Sequence, residues 1–147
     1  MTEAASVRWL LDANALVALS LSTHVHHRPA HAALSTCGAF ATSALTESAL
    51  VRLLLNEAVT GKRFSPPQVL GVLAGLRADP RWTFLGGDAT LADPLIDATV
   101  LVGHRQVTDL CLVNLAAHHS ALLATFDARI VAGLAPADRV HVHLIPH

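Results

Sequence analysis

The sequence lacks the features expected of a secreted or membrane-spanning protein. It has no uninterrupted apolar run of about 18 residues, the length that a membrane-spanning helix needs, although 52% of its residues are hydrophobic. Glu3 and Arg8 interrupt the amino-terminal segment, which does not fit a signal peptide. Cys37 and Cys111 lie far apart and form no CxxC pair. We therefore predict a cytoplasmic protein with reduced thiols, whose surplus apolar surface faces a partner chain.

Charge is also scarce. The chain has 10 Lys and Arg against 11 Asp and Glu, which gives a formal net charge of −1. Bulk electrostatics will therefore not attract nucleic acid, and such binding must depend on a local basic patch or on a metal ion. The 147 residues contain no repeat, low-complexity tract or linker. We expect a single domain over residues 1–147.

Short apolar runs alternate along the chain with segments of helical periodicity. The pattern predicts strands at 7–11, 38–42, 81–85, 121–125 and 140–145. It predicts helices at 13–21, 30–35, 46–57, 91–102, 108–119 and 128–134 and after Ser65-Pro66-Pro67, with a polar break at 24–29 and a connector at 60–63. This order favours a parallel sheet covered by helices, with the last strand at an edge.

Four acidic residues lie where an apolar run gives way to a helical pattern: Asp12, Glu47, Asp109 and Asp127. In a parallel α/β fold these junctions lie at the carboxyl edge of the sheet, where ligands bind. Each acid could instead cap its own helix or interact with the helix dipole. Capping does not require the junctions to converge, whereas a metal site does. Gathered carboxylates suit hard divalent cations such as Mg²⁺ or Mn²⁺.

Mutual repulsion strengthens the metal interpretation of these acids. Carboxylates held close together are unfavourable without a cation, and some of them would keep a proton. One or two divalent ions would remove that cost, lower the pKa of a bound water and stabilise the charge on a phosphate during in-line attack. This chemistry needs no serine, cysteine or lysine nucleophile.

The acids stand in four ordered motifs, which are LLDANAL at 10–16, SALTE at 43–47, VTDLCLVNLA at 107–116 and LATFD at 123–127. Together these motifs resemble those of PIN-domain ribonucleases and, more narrowly, of the VapC toxins of bacterial toxin–antitoxin operons. The resemblance spans nearly the whole chain. It implies a PIN-like three-layer α/β/α sandwich with a small parallel β-sheet.

The resemblance also implies an activity and its participants. The protein would be an endoribonuclease that depends on Mg²⁺ or Mn²⁺, with Asp12, Glu47, Asp109 and Asp127 as catalytic, metal-binding acids. Polar neighbours in the motifs would orient the carboxylates or water: Asn14, Thr108 and Thr125. The partners would be RNA as substrate, a second copy in a homodimer, and a VapB-like antitoxin. The antitoxin would cover the active site and bring the segment that binds operator DNA.

Histidines and arginines supply the remaining candidates. Arg28 and Arg105 lie near the motifs and could bind phosphates, although solvated surface arginines are an equally good interpretation. The ten histidines show no zinc spacing, which favours surface positions. Four of them follow the first predicted helix and are placed to touch RNA rather than metal: His24, His26, His27 and His31.

Two other classes of function remain open from the sequence. In a HAD-like phosphatase, Asp12 would be the nucleophile, but that class needs a second acid where Asn14 stands and a phosphate-binding lysine. Lys62 lies in the wrong kind of segment for that role. In a non-catalytic α/β binding domain the four acids would only cap helices, which leaves their ordered placement to chance.

Overall fold

The computed structural model describes residues 7–87 and 89–147. Residues 1–6, which belong to the predicted single domain, lie outside this description. The described residues contain a five-stranded sheet in the order β3-β2-β1-β4-β5, and every neighbouring pair is parallel. The strands are β1 (Trp9–Leu11), β2 (Phe40–Thr42), β3 (Trp82–Phe84), β4 (Leu122–Thr125) and β5 (Val142–Leu144). The predicted parallel sheet and its edge strand β5 are confirmed.

The strand order contains one reversal, and this reversal positions the site. The chain builds outward from β1 through β2 to β3 and then returns to place β4 on the other side of β1. Trp9, Leu10 and Leu11 pair with residues 122–124 of β4. Such a switch point leaves a crevice beyond the carboxyl ends of the two central strands, where α/β proteins bind ligands.

Helices cover both faces of the sheet. They are α1 (Ala13–Ser20), α2 (His27–Ser35), α3 (Ala44–Leu55), α4 (Glu57–Thr60), α5 (Pro66–Ala78), α6 (Val107–His118) and α7 (Ala128–Ala132). Local chemistry sets several of their starts. Ser43 and Ser65 each form a capping box, with Thr46 and Gln68 respectively, and prolines occupy the first turn of α5.

The core consists of two apolar layers, because successive strand residues point to opposite faces of the sheet. Leu11 and Phe40 pack with α1, α3 and α5 on one face. Leu10 and Leu123 pack with α6 and α7 on the other. All four are nearly or fully buried. The arrangement is the predicted three-layer α/β/α sandwich.

The helix predicted at 91–102 is wrong. Within it only Ala98–Val100 is helical, as a single 3₁₀ turn. The backbone N–H of Leu95 donates to Asn114 Oδ1 of α6 at 2.9 Å, and the N–H of Asp97 donates to Asp138 Oδ2 at 2.8 Å. These donors are satisfied by distant side chains rather than by the preceding turn, which overrides the apolar periodicity of the segment.

Smaller differences concern helix ends. The segment predicted as a polar break at 24–29 contributes the first residues of α2, which starts at His27. The helix predicted at 46–57 starts at Ala44 and is interrupted at Asn56, whose side chain caps the separate helix α4. Gly61 ends α4 in the left-handed conformation, with φ 74°. In the described part of the chain, no helix is long and apolar enough to cross a membrane.

Candidate active site

Asp12 is the innermost acid of the site. It follows β1 directly and caps α1, accepting the Ala15 N–H on Oδ1 at 2.8 Å. Its Oδ2 accepts the hydroxyl of Thr125, the last residue of β4, at 2.5 Å. The residue is only 4% exposed. The carboxylate is thus fixed between the two central strands at the switch point.

Burial raises the pKa of Asp12 from 3.8 to about 6. The Thr125 hydroxyl and the Ala15 N–H oppose this rise, because both hydrogen-bond the charged form. Asp109 and Asp127 add to it by repelling the charge. Thr125 bonds both Asp12 Oδ2 and the Asp127 N–H, and Asp109 and Asp127 line one cavity. The first, third and fourth motifs therefore bring their aspartates to the same edge of the sheet.

Asp109 and Asp127 are the two other acids whose charges act on Asp12. Asp109 lies in the first turn of α6, and Asp127 caps α7 just after β4. Burial, and then repulsion from Asp127, raises the pKa of Asp109. Capping therefore explains the local position of Asp12 and Asp127, but it does not explain why three acids from three elements converge.

Arg129 is a site residue that the sequence analysis missed. Its Nε and Nη2 donate to the two oxygens of Asp127 at 3.0 and 2.9 Å. This fork is the main reason that the pKa of Asp127 is lowered. The spacing Asp127-Ala128-Arg129 at a helix start could have indicated it. For Asp127 to bind a cation, the fork has to open.

Glu47 lies at the same edge of the sheet but has different partners. It occupies the first turn of α3, after β2, the neighbour of β1. Its Oε2 accepts the Thr42 hydroxyl at 2.5 Å, and Thr42 Oγ1 accepts the Trp82 Nε1–H at 2.9 Å. The second motif is thus anchored toward β3, on the side of the sheet away from β4. Across residues 7–87 and 89–147, no three Asp, Glu, His or Cys side chains form a group that could hold one metal ion.

The other predicted site residues divide into two sets. Thr125 is fully buried and, besides donating to Asp12, accepts the Asp127 N–H at 3.0 Å, so it supports two acids at once. Asn14 and Thr108 are exposed, in the first turns of α1 and α6. Arg28 is exposed on α2.

The histidines after α1 take part in packing. His27 Nδ1 lies 2.7 Å from the Ala18 carbonyl oxygen, which ties α2 to α1. His26 stacks on Phe126 with ring centroids 4.7 Å apart and also meets His147 edge-on at 4.4 Å. Phe126 separates Thr125 from Asp127, so this loop does lie at the carboxyl end of β4. Its histidines contact protein rings and a backbone carbonyl, and no local sequence pattern indicates these contacts.

A cavity of about 450 Å³ opens beside the acids. Asp109 and Asp127 form part of its wall, Leu110 and Ile130 give it an apolar lining, and Arg105 lies in the same wall. Arg105 is exposed. The predicted phosphate contact Arg105 is therefore adjacent to the acids.

Comparison with known proteins identifies the fold and its family. The PIN domain model matches residues 9–133. The chain belongs to the PIN domain family. Ribonuclease VapC38 of Mycobacterium tuberculosis is 41% identical over 124 residues, which cover 82% of this chain and 86% of that protein. Ribonuclease VapC39 of the same organism is 35% identical over 140 residues, or 90% of this chain and 97% of the relative.

A solved structure gives the same fold. Mycobacterium tuberculosis VapC20, described as a sarcin–ricin loop cleaving toxin, matches with a TM-score of 0.57 and 14% identity, over 86% of this chain and 96% of that chain. The resemblance to PIN-domain ribonucleases and VapC toxins is thereby confirmed. The matches give no support to a HAD-like phosphatase or to a non-catalytic binding domain.

Proposed function

We propose that this PIN-domain protein is an endoribonuclease toxin of a VapBC-type system that hydrolyses RNA phosphodiester bonds with Mg²⁺ or Mn²⁺. The observation that carries the proposal is the placement of three aspartates at one edge of the sheet. Thr125 bonds both Asp12 and Asp127 at the crevice between β1 and β4, and Asp109 lines one cavity with Asp127. The VapC relatives, which are named ribonucleases, support the same reaction class.

The donor set suits a hard divalent cation. It offers only carboxylate oxygens, which Mg²⁺ and Mn²⁺ prefer. Burial, and then repulsion from neighbouring acids, raises the pKa of Asp12 and of Asp109, so both charged carboxylates would be stabilised by a bound cation. We propose Asp12, Asp109, Asp127 and Glu47 as the ligands. No three of these acids form a metal-holding group in the described residues as they stand, so the Arg129 fork on Asp127 and the Thr42 hydrogen bond of Glu47 have to open before the acids can share one ion. When bound, such an ion supplies an activated water and stabilises charge on the phosphate.

Side chains around the acids would position the RNA and the carboxylates. Thr125 holds Asp12 in one orientation and fixes the backbone of Asp127. Arg105 and Arg129, both at the surface beside the acids, are placed to bind phosphate oxygens through their planar guanidinium groups. Asn14 and Thr108 would contact water or substrate at the entrance. Arg28 and His27 stay predictions as RNA contacts.

The partners follow from the same proposal. RNA is the substrate, and a VapB-like antitoxin covers the acids and links the complex to operator DNA. Exposed apolar side chains such as Val25, Leu70 and Leu95 are compatible with a partner chain or a homodimer. The cytoplasmic location stays a prediction.

The test is Mn²⁺-dependent cleavage of RNA by the wild-type protein and by Asp12→Asn. The variant should lose most of the activity while it still folds, because the metal requires charge at this position. Asp93→Asn is the matched control, since it changes an exposed acid in the irregular segment before α6. If Asp12→Asn cleaves RNA as well as Asp93→Asn does, the assignment of the acids is wrong.

A further inference from the structure

The cavity beside the acids is lined by two chemically different kinds of residue. Asp109, Asp127 and Arg105 are charged and lie next to the position where the scissile phosphate must lie if the acids are catalytic. Leu101, Leu110 and Ile130 contribute apolar surface. Its volume of about 450 Å³ lies within the range of about 300–1,000 Å³ typical of small-molecule sites. A ligand here would be apolar on its faces and attached to a phosphate.

A nucleobase has this chemistry. Sequence-specific recognition of RNA uses unstacked bases in single-stranded segments, which proteins bind between apolar or aromatic groups and contact along the base edge. A nucleotide that flanks the scissile phosphate is held by its backbone beside Asp109 and Asp127. Its base would then lie next to the apolar residues that line the same cavity.

Gln106 provides a fixed polar group in the same cavity. Its Oε1 accepts the Val102 N–H at 2.8 Å and the Gly103 N–H at 3.4 Å. The other end of the amide, Nε2, lies over Gly133, where an added Cβ would approach it to 3.4 Å. Gln106 and Gly133 both line the cavity. The NH₂ group is thus the end offered to an acceptor on a base edge, and a glycine at 133 leaves it room.

We propose that this cavity binds the nucleobase next to the scissile phosphate and that Leu101, Leu110 and Ile130 contribute to sequence preference. The inference rests on the proposed endoribonuclease function. Arg105 in the lining is exposed and can bind a phosphate beside the inserted base, and Arg129 can do so when its fork to Asp127 opens. A peptide segment is the alternative occupant that the experiment must distinguish.

The direct test uses ribonucleoside 5′-monophosphates as probes and the methyl NMR signals of Leu101, Leu110 and Ile130 as the readout. At least one of the four nucleotides should shift these signals saturably, whereas ribose 5-phosphate, which lacks the base, should not. Leu101→Trp should weaken this binding roughly tenfold or more, a change of the size seen when a base contact is removed. Leu101 is 36% exposed on a loop, so the larger ring enters the cavity without entering the core.

Val102→Trp is the matched control. Val102 adjoins Leu101 in the loop, is 87% exposed and does not line the cavity. The nucleotide binding constants of Val102→Trp should stay within about twofold of those of wild type. Leu101→Trp should instead show the roughly tenfold or greater loss that follows removal of a base contact. If no nucleotide shifts the methyl signals, or if ribose 5-phosphate shifts them equally, the proposal is wrong. It is also wrong if an antitoxin peptide shifts them and nucleotides do not.

A second measurement separates this inference from the proposed activity. An RNA that the wild-type protein cleaves is remade with an abasic nucleotide on each side of the cut in turn. Wild type and Val102→Trp should cleave one of the two abasic RNAs with a kcat/KM roughly tenfold below that for the intact RNA. Leu101→Trp should cleave the same abasic RNA with nearly the kcat/KM that it has for the intact RNA. A protein that cleaves both abasic RNAs at the normal rate is a nuclease without a base pocket.

Discussion

The most informative perturbation is Asp12→Asn studied without metal, because its effect on stability should reverse sign with pH. The folded protein raises the pKa of Asp12 from 3.8 to about 6. A raised pKa means that the native state binds this proton more tightly than the unfolded state does. Stability from this group is therefore present below pH 3.8 and is lost as the pH rises through the folded value.

The magnitude follows from the size of the shift. A displacement from 3.8 to about 6 corresponds to about 3 kcal/mol. Asparagine carries no charge at any pH, so the variant escapes this cost. It has a separate cost of about 1–3 kcal/mol, because the Thr125 hydroxyl loses the acceptor Oδ2. This second cost does not depend on pH.

The two stability curves should therefore cross. At pH 3.5 the variant should be less stable than wild type, and at pH 7.5 it should be equally stable or more stable. The difference between the proteins should change by about 3 kcal/mol over this range, or by about 6–12 °C in Tm for a chain of this size. Urea unfolding with EDTA present, extrapolated linearly to water, gives the free energies directly.

A matched control and a clear contrary outcome complete this test. Asp93→Asn removes an exposed acid and should show a difference from wild type that stays within about 0.5 kcal/mol at every pH. If the difference between Asp12→Asn and wild type is constant from pH 3.5 to 7.5, then Asp12 is not held at a raised pKa. The conclusion that burial and the neighbouring acids disfavour the charged form of Asp12 would then be refuted.

Three further predictions test the neighbours of Asp12. Thr125→Val removes the hydroxyl that lowers the pKa of Asp12, so Mn²⁺ binding should weaken most between pH 6 and 7. Calorimetric titrations should show this weaker binding in Thr125→Val and normal binding in the β3 control Thr83→Val. Arg129→Gln removes the guanidinium from both oxygens of Asp127 and leaves only the backbone N–H of residue 129 on Oδ1. Mn²⁺ affinity should therefore rise severalfold, while Arg63→Gln leaves it unchanged, and equal affinities would show that the fork does not compete with metal. In thermal unfolding, Mn²⁺ at about 100 times its Kd should stabilise the wild-type protein by about 2.7 kcal/mol and leave Asp12→Asn nearly unaffected. An equal stabilisation of both proteins would show that the ion binds at a site other than Asp12.

Local patterns in the sequence predicted the sheet because each strand is a short apolar run. Leu10 and Leu11 are both buried, one toward each helical layer, so the run is apolar throughout rather than alternating. Asp12 and Asp127 directly follow such runs, which is why their position at the carboxyl edge could be inferred. The position of the third acid, Asp109, could be inferred because the helical pattern after residue 107 predicts a helix start there.

Contacts between distant residues account for what the sequence could not predict. The segment 91–102 has an apolar periodicity, but Asn114 and Asp138 take its backbone donors. Glu47 follows the expected strand, yet its hydrogen bond to Thr42 depends on where the side chain turns within the first turn of α3. The stacking of His26 on Phe126 joins two segments about a hundred residues apart in the chain, and no local pattern records it.

The bond between Thr125 and Asp12 also has a consequence for how activity arises during translation. The two residues are 113 positions apart, and they meet only when β4 pairs with β1. Domains generally fold as units while the ribosome delivers them from the amino terminus. A nascent chain that has released Asp12 but not yet β4 holds this acid without its partners, so the proposed active site should form only after β4 has left the ribosome. The order in which the fold is assembled thus gives the cell an interval in which the protein exists but cannot yet cut RNA.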